Sequence, residues 1–212
     1  MLSYRYPIIA REGWPLIGLL TIIAIVINAY FNVLAASPFW LLVLLALFVY
    51  RDPARQVPAA PLAIVAPVDG RVTEITAVQD PYVGREAQRV VIAMNLLGIY
   101  SARSPTEGKV VKQWHGHRSG EKSAVPFTAA DFAQWIQTDE GDDIVMSMRQ
   151  HSRVQAPRCY AQSGDRLGQG QRCGFVPLGA AVEVLVPASS RINVKVGDIL
   201  RAGSDIIATL VH

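Results

Sequence analysis

The chain carries two hydrophobic rhythms, and the change between them divides it. From Trp14 to Phe31, and again from Pro38 to Tyr50, apolar residues follow one another almost without interruption. Residues 14–50 contain no Lys, Arg, Asp or Glu. Such runs predict helices that are apolar all round. The first is long enough to cross a bilayer. The second, at about 1.5 Å per residue, falls short of a hydrocarbon core roughly 30 Å thick. Between them the stretch from Asn32 to Pro38 reads as a turn, because Ser37-Pro38 favours a break. Beyond Pro58 and Pro61 the pattern changes. Ile64–Ala66, Arg71–Ile75, Arg89–Ala93, Lys109–Val111 and Ala181–Val186 are short, β-branched and bounded by Gly, Pro or Asp. They predict the strands of a mainly β domain, a small barrel or sandwich. Thr128–Gln137 stands apart, and its residues alone suggest a short helix.

An internal echo runs through the β part. Gly164-Asp165-Arg166-Leu167-Gly168-Gln169-Gly170 returns as Gly197-Asp198-Ile199-Leu200-Arg201-Ala202-Gly203, both following G-D-x-L-x-x-G. Val68-Asp69-Gly70-Arg71-Val72 is echoed by Thr106-Glu107-Gly108-Lys109-Val110. Each is a tight turn feeding a strand, where Gly gives backbone freedom and Asp bonds locally. Lipoyl- and biotinyl-carrier barrels use similar turns. A carrier displays a lysine at a hairpin tip in a Met-Lys-like pair, and this chain has none, so a carrier role is disfavoured.

Composition refines this picture in two places. Hydrophobic residues make up 51% and charged residues 17% of the chain, but the apolar excess belongs to residues 14–50. What remains is an ordinary soluble composition. The net charge of +3 is scattered rather than clustered, which argues against nucleic-acid binding and suits proximity to anionic lipid. Arg5 and Arg11 precede the apolar pair and Arg51 and Arg55 follow it, with no basic residue between. Both ends are therefore expected on the cytoplasmic side of a plasma or inner membrane. The absence of a small-residue cleavage site disfavours a signal peptide. The expected organisation is a cytoplasmic segment over 1–13, a membrane hairpin over 14–50, a linker over 51–63 and the β domain over 64–212. Cys159 and Cys173 lack any metal-ligand spacing and read as reduced, structural thiols.

In order along the chain, a set of elements resembles the short bacterial and archaeal branch of the phosphatidylserine decarboxylase family. They are Tyr6–Pro15, Arg51–Arg55 with Val57-Pro58, Ala66-Pro67-Val68-Asp69-Gly70-Arg71-Val72, and Met94-Asn95-Leu96-Leu97 with Arg103, Pro105 and Gly108-Lys109-Val110. Gly164–Phe175 and Leu178-Gly179 with Val182–Pro187 complete the set. The resemblance is weak only from about His115 to Tyr160, where it allows a loop or strand for Thr128–Gln137. It implies a phospholipid partner, a possible homodimer and a pyruvoyl cofactor made by self-cleavage between Gly and Ser. In that reaction the serine hydroxyl attacks the preceding carbonyl, and elimination from the resulting ester leaves the pyruvoyl group. Onto this chain the resemblance carries Asp69, Gly179, Ala180 and Tyr100 as the self-cleavage and catalytic positions. It carries Met94, Asn95 and Arg103 as substrate-binding ones.

Two of those positions depart from the family pattern. Ala180 stands where the serine belongs, so this bond has no hydroxyl nucleophile and no pyruvoyl cofactor is expected from the chain as written. Tyr100 stands where the family has histidine; its phenol, with an ordinary pKa of about 10, is a poor base near neutrality. The family's Lys-Ala-Ser and Asn-Glu-Arg elements are also unrecognisable between Gly116 and Asp142. Two readings fit: a homologue that has lost decarboxylation, or a true decarboxylase held as a Ser-to-Ala proenzyme. Gly203-Ser204, the other Gly-Ser pair, falls within a turn and would leave too short a piece to hold a site. His115 and His117, with His151, lack the companions of a metal site, and none is expected. Asp139–Asp143 reads as a solvated acidic turn, and Ser189-Ser190-Arg191 as a hairpin tip.

Overall fold

The computed structural model describes residues 8–95, 98–115, 132–149, 157–176 and 180–211. The chain divides into two compact units, Met1–Ala54 and Arg55–His212.

The first unit holds α1 (Trp14–Tyr30) and α2 (Val33–Val49), joined at Phe31-Asn32. A short 3-10 turn over Arg11–Gly13 leads in, and Pro15 occupies the first turn of α1, where a missing N–H costs nothing. Helix α2 begins earlier than the sequence suggests, and this corrects the expected turn over Asn32–Pro38. Asn32 caps the helix by accepting the Ala35 N–H at 2.7 Å. Pro38 has no N–H to offer the Leu34 carbonyl four residues back. The Ser37 hydroxyl donates to that carbonyl at 2.8 Å instead, and the helix passes through the proline. Small and slim residues fill the inter-helix seam: Ala24 from α1 and Ala36, Val43 and Ala46 from α2 are buried. The outward faces are almost wholly apolar, with Leu19, Ile22, Ile25, Leu41 and Leu44 all exposed. The segments at the open end pair as an antiparallel bridge between Ile9 and Arg51, and Gly13 packs against the Tyr50 ring. By length and composition, Arg11–Tyr30 is a helix able to cross a membrane; α2 is shorter.

The second unit is mainly β. Its strands are β1 (Ala63–Val65), β2 (Gly70–Gln79), β3 (Glu86–Met94), β4 (Ser101–Arg103), β5 (Gly108–His115), β6 (Phe132–Gln137) and β7 (Asp143–Arg149). They continue as β8 (Arg158–Cys159), β9 (Arg166–Leu167), β10 (Arg172–Phe175), β11 (Ala181–Pro187), β12 (Arg191–Ile192), β13 (Ile199–Leu200) and β14 (Ile206–Thr209). Eight form one antiparallel sheet in the order β13-β2-β3-β11-β7-β6-β5-β9. The rest make two small sheets, β1-β14-β12 and β4-β10-β8. The strands anticipated from the short β-branched runs are all present and mostly longer. The suggested helix is corrected where it is described: Phe132–Gln137 is strand β6, between β5 and β7. Ladder bonding on both sides, with Phe132, Gln134 and Ile136 buried on one face, overrides the modest helix preference of Ala and Gln. Thr128–Asp131 lie outside the described residues.

One sheet face supplies most of the core. Val184 opposes Val90 and Met146, Val182 opposes Ile92 and Met148, and Ile136 opposes Ile144 and Val110. On the opposite face Ala87, Val145 and Leu185 form a smaller cluster with Tyr82 and Trp135 beside it. The same central strand β11 carries Glu183, nearly buried, which accepts from the Ser147 hydroxyl at 3.2 Å and pairs with Arg149 at 3.1 Å.

The echo in the sequence is a duplication of structure. The large sheet reads as a palindrome: β13, β2, β3 and β11 are matched by β9, β5, β6 and β7. In one half the Gly197 N–H donates to the Val72 carbonyl at 2.8 Å, and the Val72 N–H donates to Asp198 at 2.9 Å. In the other, Gly164 and Val110, then Val110 and Asp165, make the same bonds at 2.8 Å each. The halves interlock where the Val65 N–H reaches Pro105 and the Arg103 N–H reaches Pro67, both at 2.8 Å. Gly170 and Gly203, each with positive φ, touch at this junction, where a side chain on either would collide.

Both cysteines are free. Burial pushes the Cys159 thiol up to about 11 and the wholly buried Cys173 well above the ordinary 9.0. Maleimide should therefore modify the folded protein slowly at neutral pH and rapidly in urea. An unfolded Cys159 ionises near 9.0 while the folded one stays neutral to about 11, so stability is full below pH 9 and is lost as pH rises through 11. Thermal unfolding across that range should show the decline, and Cys159→Ala should lessen it, leaving the share due to Cys173. At Gly108 a methyl would run into the Gln137 carbonyl, so Gly108→Ala should cost roughly 1–3 kcal/mol, measured by urea unfolding.

Candidate functional site

Asp69 sits in the turn that feeds β2, and its carboxylate ties together three separated segments. Oδ2 pairs with the Arg55 guanidinium at 2.8 Å and accepts the Ile99 N–H at 3.3 Å. Oδ1 accepts the Ala202 N–H at 2.7 Å, from the turn after β13. The Asp69 carbonyl accepts the Asn95 N–H at 3.1 Å. Gly98 completes the corner: a methyl there would press on Asp69 Cβ and the Asn95 carbonyl, both at 3.0 Å. The Asp69 side chain is only 15% exposed, so these bonds work in a partly desolvated setting.

Met94 and Asn95 end β3 beside this corner. The Met94 N–H donates to the Ala180 carbonyl at 3.2 Å, which draws the start of β11 against them. Ala180 is buried, and its side chain is a methyl with no group able to attack a carbonyl. Gly179 lies outside the described residues, as do Leu96 and Leu97. Tyr100 is nearly buried, its ring 6.2 Å from that of Phe175, and its carbonyl accepts the Val176 N–H at 2.8 Å. Position 100 is thus joined to the chain that runs toward Ala180, and a phenol wedged on an aromatic ring occupies it.

An open pocket of about 320 Å³ lies against this corner, lined by Gly70, Arg71, Ala93, Met94, Asn95 and Ile199. The resemblance carries Met94 and Asn95 as substrate-binding positions; it does not carry Arg71 or Ile199. Ile199 lies far away in sequence, and only its pairing with Arg71 across β13 and β2 places it at the pocket. Arg55 flanks the apolar pair in sequence, and nothing local signals its pairing with Asp69. Arg103 lies elsewhere: its side chain runs under Gly203 and donates to the Gly170 carbonyl at 3.2 Å, at the junction of the two halves.

Among the described residues no three His, Cys, Asp or Glu side chains gather as metal ligands. His115 packs edge-on against Phe132 at 5.2 Å, and His117 and His151 lie outside the described residues. The Asp139–Asp143 turn is held by its own bonds, Asp139 pairing with Arg166 at 2.6 Å and Asp143 accepting from the Trp135 ring at 2.9 Å.

A duplicated β fold with an aspartate at the corner of a pocket, facing the start of a central strand, defines a class of site rather than a reaction. Comparison with known proteins supplies the family. The family model described as phosphatidylserine decarboxylase matches residues 44–208. A phosphatidylserine decarboxylase proenzyme of Nitrosomonas eutropha is 36% identical over 208 residues, covering 97% of this chain and 96% of that protein. One of Nitrosomonas europaea has the same identity and coverage. One of Burkholderia ambifaria is 36% identical over 212 residues, 99% of each chain. The chain belongs to the phosphatidylserine decarboxylase family. That family uses a pyruvoyl group formed by self-cleavage; Ala180, where the resemblance places the serine, carries no hydroxyl from which one could form.

The Asp69 corner makes a quantitative prediction. Asp69→Ala strands a guanidinium and two N–H groups and should cost on the order of 2–4 kcal/mol in urea unfolding. Asp69→Asn keeps an acceptor for Ala202 and should fall between the two.

Proposed function

We propose that this chain is a membrane-anchored member of its family that has lost decarboxylation and keeps a phospholipid-binding role in lipid metabolism. The observation that carries the reading is Ala180, seated by its carbonyl against Met94 at the family's self-cleavage position. Self-cleavage requires a nucleophile on the residue whose amide bond is cut, and a methyl cannot serve. Tyr100 supports the same reading, because a buried phenol beside Phe175 stands where the resemblance places a histidine base. No step through a pyruvoyl group follows from these residues.

What remains suits binding. The pocket offers the Arg71 guanidinium for a phosphate or carboxylate, the Asn95 amide for a polar head group, and Met94 and Ile199 as apolar walls. Arg103, expected as a substrate contact, acts in this reading by holding the two halves of the domain in register. The anchor is the α1–α2 pair, whose exposed faces are apolar and whose flanking arginines favour a cytoplasmic β domain. Phospholipid is the proposed partner, and a homodimer rests on the family resemblance.

A second reading is favoured by one observation, the intact Asp69 corner: a true decarboxylase, phosphatidylethanolamine-forming, stalled as a proenzyme by alanine at position 180. Ala180→Ser separates the two. The proposed reading expects the variant to remain one band on a denaturing gel, without decarboxylation of phosphatidylserine. Two pieces, the smaller beginning at residue 180, together with carbon dioxide release would overturn it. Pairing Ala180→Ser with Tyr100→His shows whether the histidine position sets the block: cleavage in the pair but not the single variant assigns it there.

A further inference from the structure

The duplicated turns provide an internal control on what the fold itself demands. Gln162–Arg166 and Lys195–Ile199 occupy equivalent places, and the same bonds lock both. Asp165 accepts the Gln162 N–H at 2.8 Å, as Asp198 accepts the Lys195 N–H at 2.8 Å. Each glycine has positive φ and donates to the matching valine. At the two outward positions the first turn carries Ser163 and Arg166, both exposed, as a solvated turn should. The second carries Val196 and Ile199, 61% and 69% exposed. Single exposed apolar residues are ordinary on any protein. Here the sister turn shows that the backbone accepts polar residues at both places, so valine and isoleucine are not required for folding.

Three further features share this place. The turn is clamped to Val72 through Gly197 and Asp198 at its centre, between the two apolar residues. Exposed cations flank it, Lys195 within the turn, Arg71 on the neighbouring strand and Arg201 just beyond, while the nearby Asp198 carboxylate is engaged by the Lys195 N–H. Ile199 also lines the pocket beside Met94 and Asn95. Rigid apolar tips bordered by Lys195, Arg71 and Arg201, with the Asp198 and Asp205 carboxylates each engaged by a backbone N–H, match an anionic bilayer surface, where side chains enter the acyl boundary and cations meet phosphates.

We infer that the Lys195–Arg201 turn docks on the surface of an anionic phospholipid bilayer, inserting Val196 and Ile199 and setting the pocket mouth against the lipid head groups. The inference rests on the reading of the chain as a membrane protein but is independent of whether it decarboxylates. A phospholipid could then reach the pocket by lateral movement, with Arg71 facing both the bilayer and the pocket.

The test uses the full chain in phosphatidylcholine vesicles with and without phosphatidylglycerol. In a Cys159→Ser background an environment-sensitive NBD fluorophore is attached to Val196→Cys, Ile199→Cys or, in the sister turn, Ser163→Cys. Flotation first establishes that the chain is in the vesicles. The expected result is blue-shifted emission, quenched by doxyl-labelled lipid, at 196 and 199 but not at 163, and stronger with phosphatidylglycerol. Replacing Lys195 and Arg71 by Gln should reduce the phosphatidylglycerol-dependent part by about fivefold per cation. Emission at 196 and 199 as water-like as at 163, in a chain that floats, overturns the docking while leaving the anchor intact. A blue shift that rises with protein density without doxyl quenching identifies a second copy as the cover and also overturns it. A chain that does not float overturns the membrane reading and the docking together.

Discussion

The bonds to the Asp69 carboxylate are the constraint on which the site depends. One side chain accepts from Arg55, from the Ile99 N–H and from the Ala202 N–H, so three distant segments meet at one point. Without it the Ile99 N–H and the turn after β13 would lose the acceptor they share. The charge on Asp69 is compensated on the spot by Arg55, which allows it to sit partly out of water. In this chain the residue is therefore a structural hub irrespective of any chemistry. Under the proposed reading, this structural role is the reason the corner would persist without decarboxylation.

The duplication gives the hub its setting. Each half of the large sheet begins with a Gly-Asp turn clamped to a valine, and the halves meet through reciprocal bonds at Pro67 and Pro105. One half has Asp69 and the pocket; the equivalent place in the other has Glu107, which is exposed. An architecture of two like halves can thus hold its shape while one end is specialised. Arg103 shows the same logic: spent on the Gly170 carbonyl at the junction, it stabilises the frame from which the site hangs.

Much of this was legible along the chain, for identifiable reasons. The strands declared themselves because short β-branched runs such as Val90-Val91-Ile92 and Val182–Val186, bounded by Gly, Pro or Asp, suit a pleated, buried surface. The repeated G-D-x-L-x-x-G announced its turns, since glycine at positive φ and a self-bonding aspartate are local requirements. What could not be read was non-local or compensated. Helix α2 runs through Pro38 because the Ser37 hydroxyl replaces a missing N–H, against the ordinary expectation for Ser-Pro. Phe132–Gln137 becomes a strand through its neighbours on both sides. Arg55, Arg71 and Ile199 join the site only by long-range pairing, and no spacing rule connects them. The substitution at position 180 is plain in the sequence; its burial against Met94 is supplied by the fold.

The central claim is that the chain persists uncut and carries no pyruvoyl group. Intact-mass measurement of the protein purified from the cells that naturally make it addresses this directly. The account predicts a single polypeptide close to the whole-chain mass of 23.1 kDa. Two fragments separated between residues 179 and 180, the smaller with a blocked, carbonyl-reactive amino terminus, would contradict it.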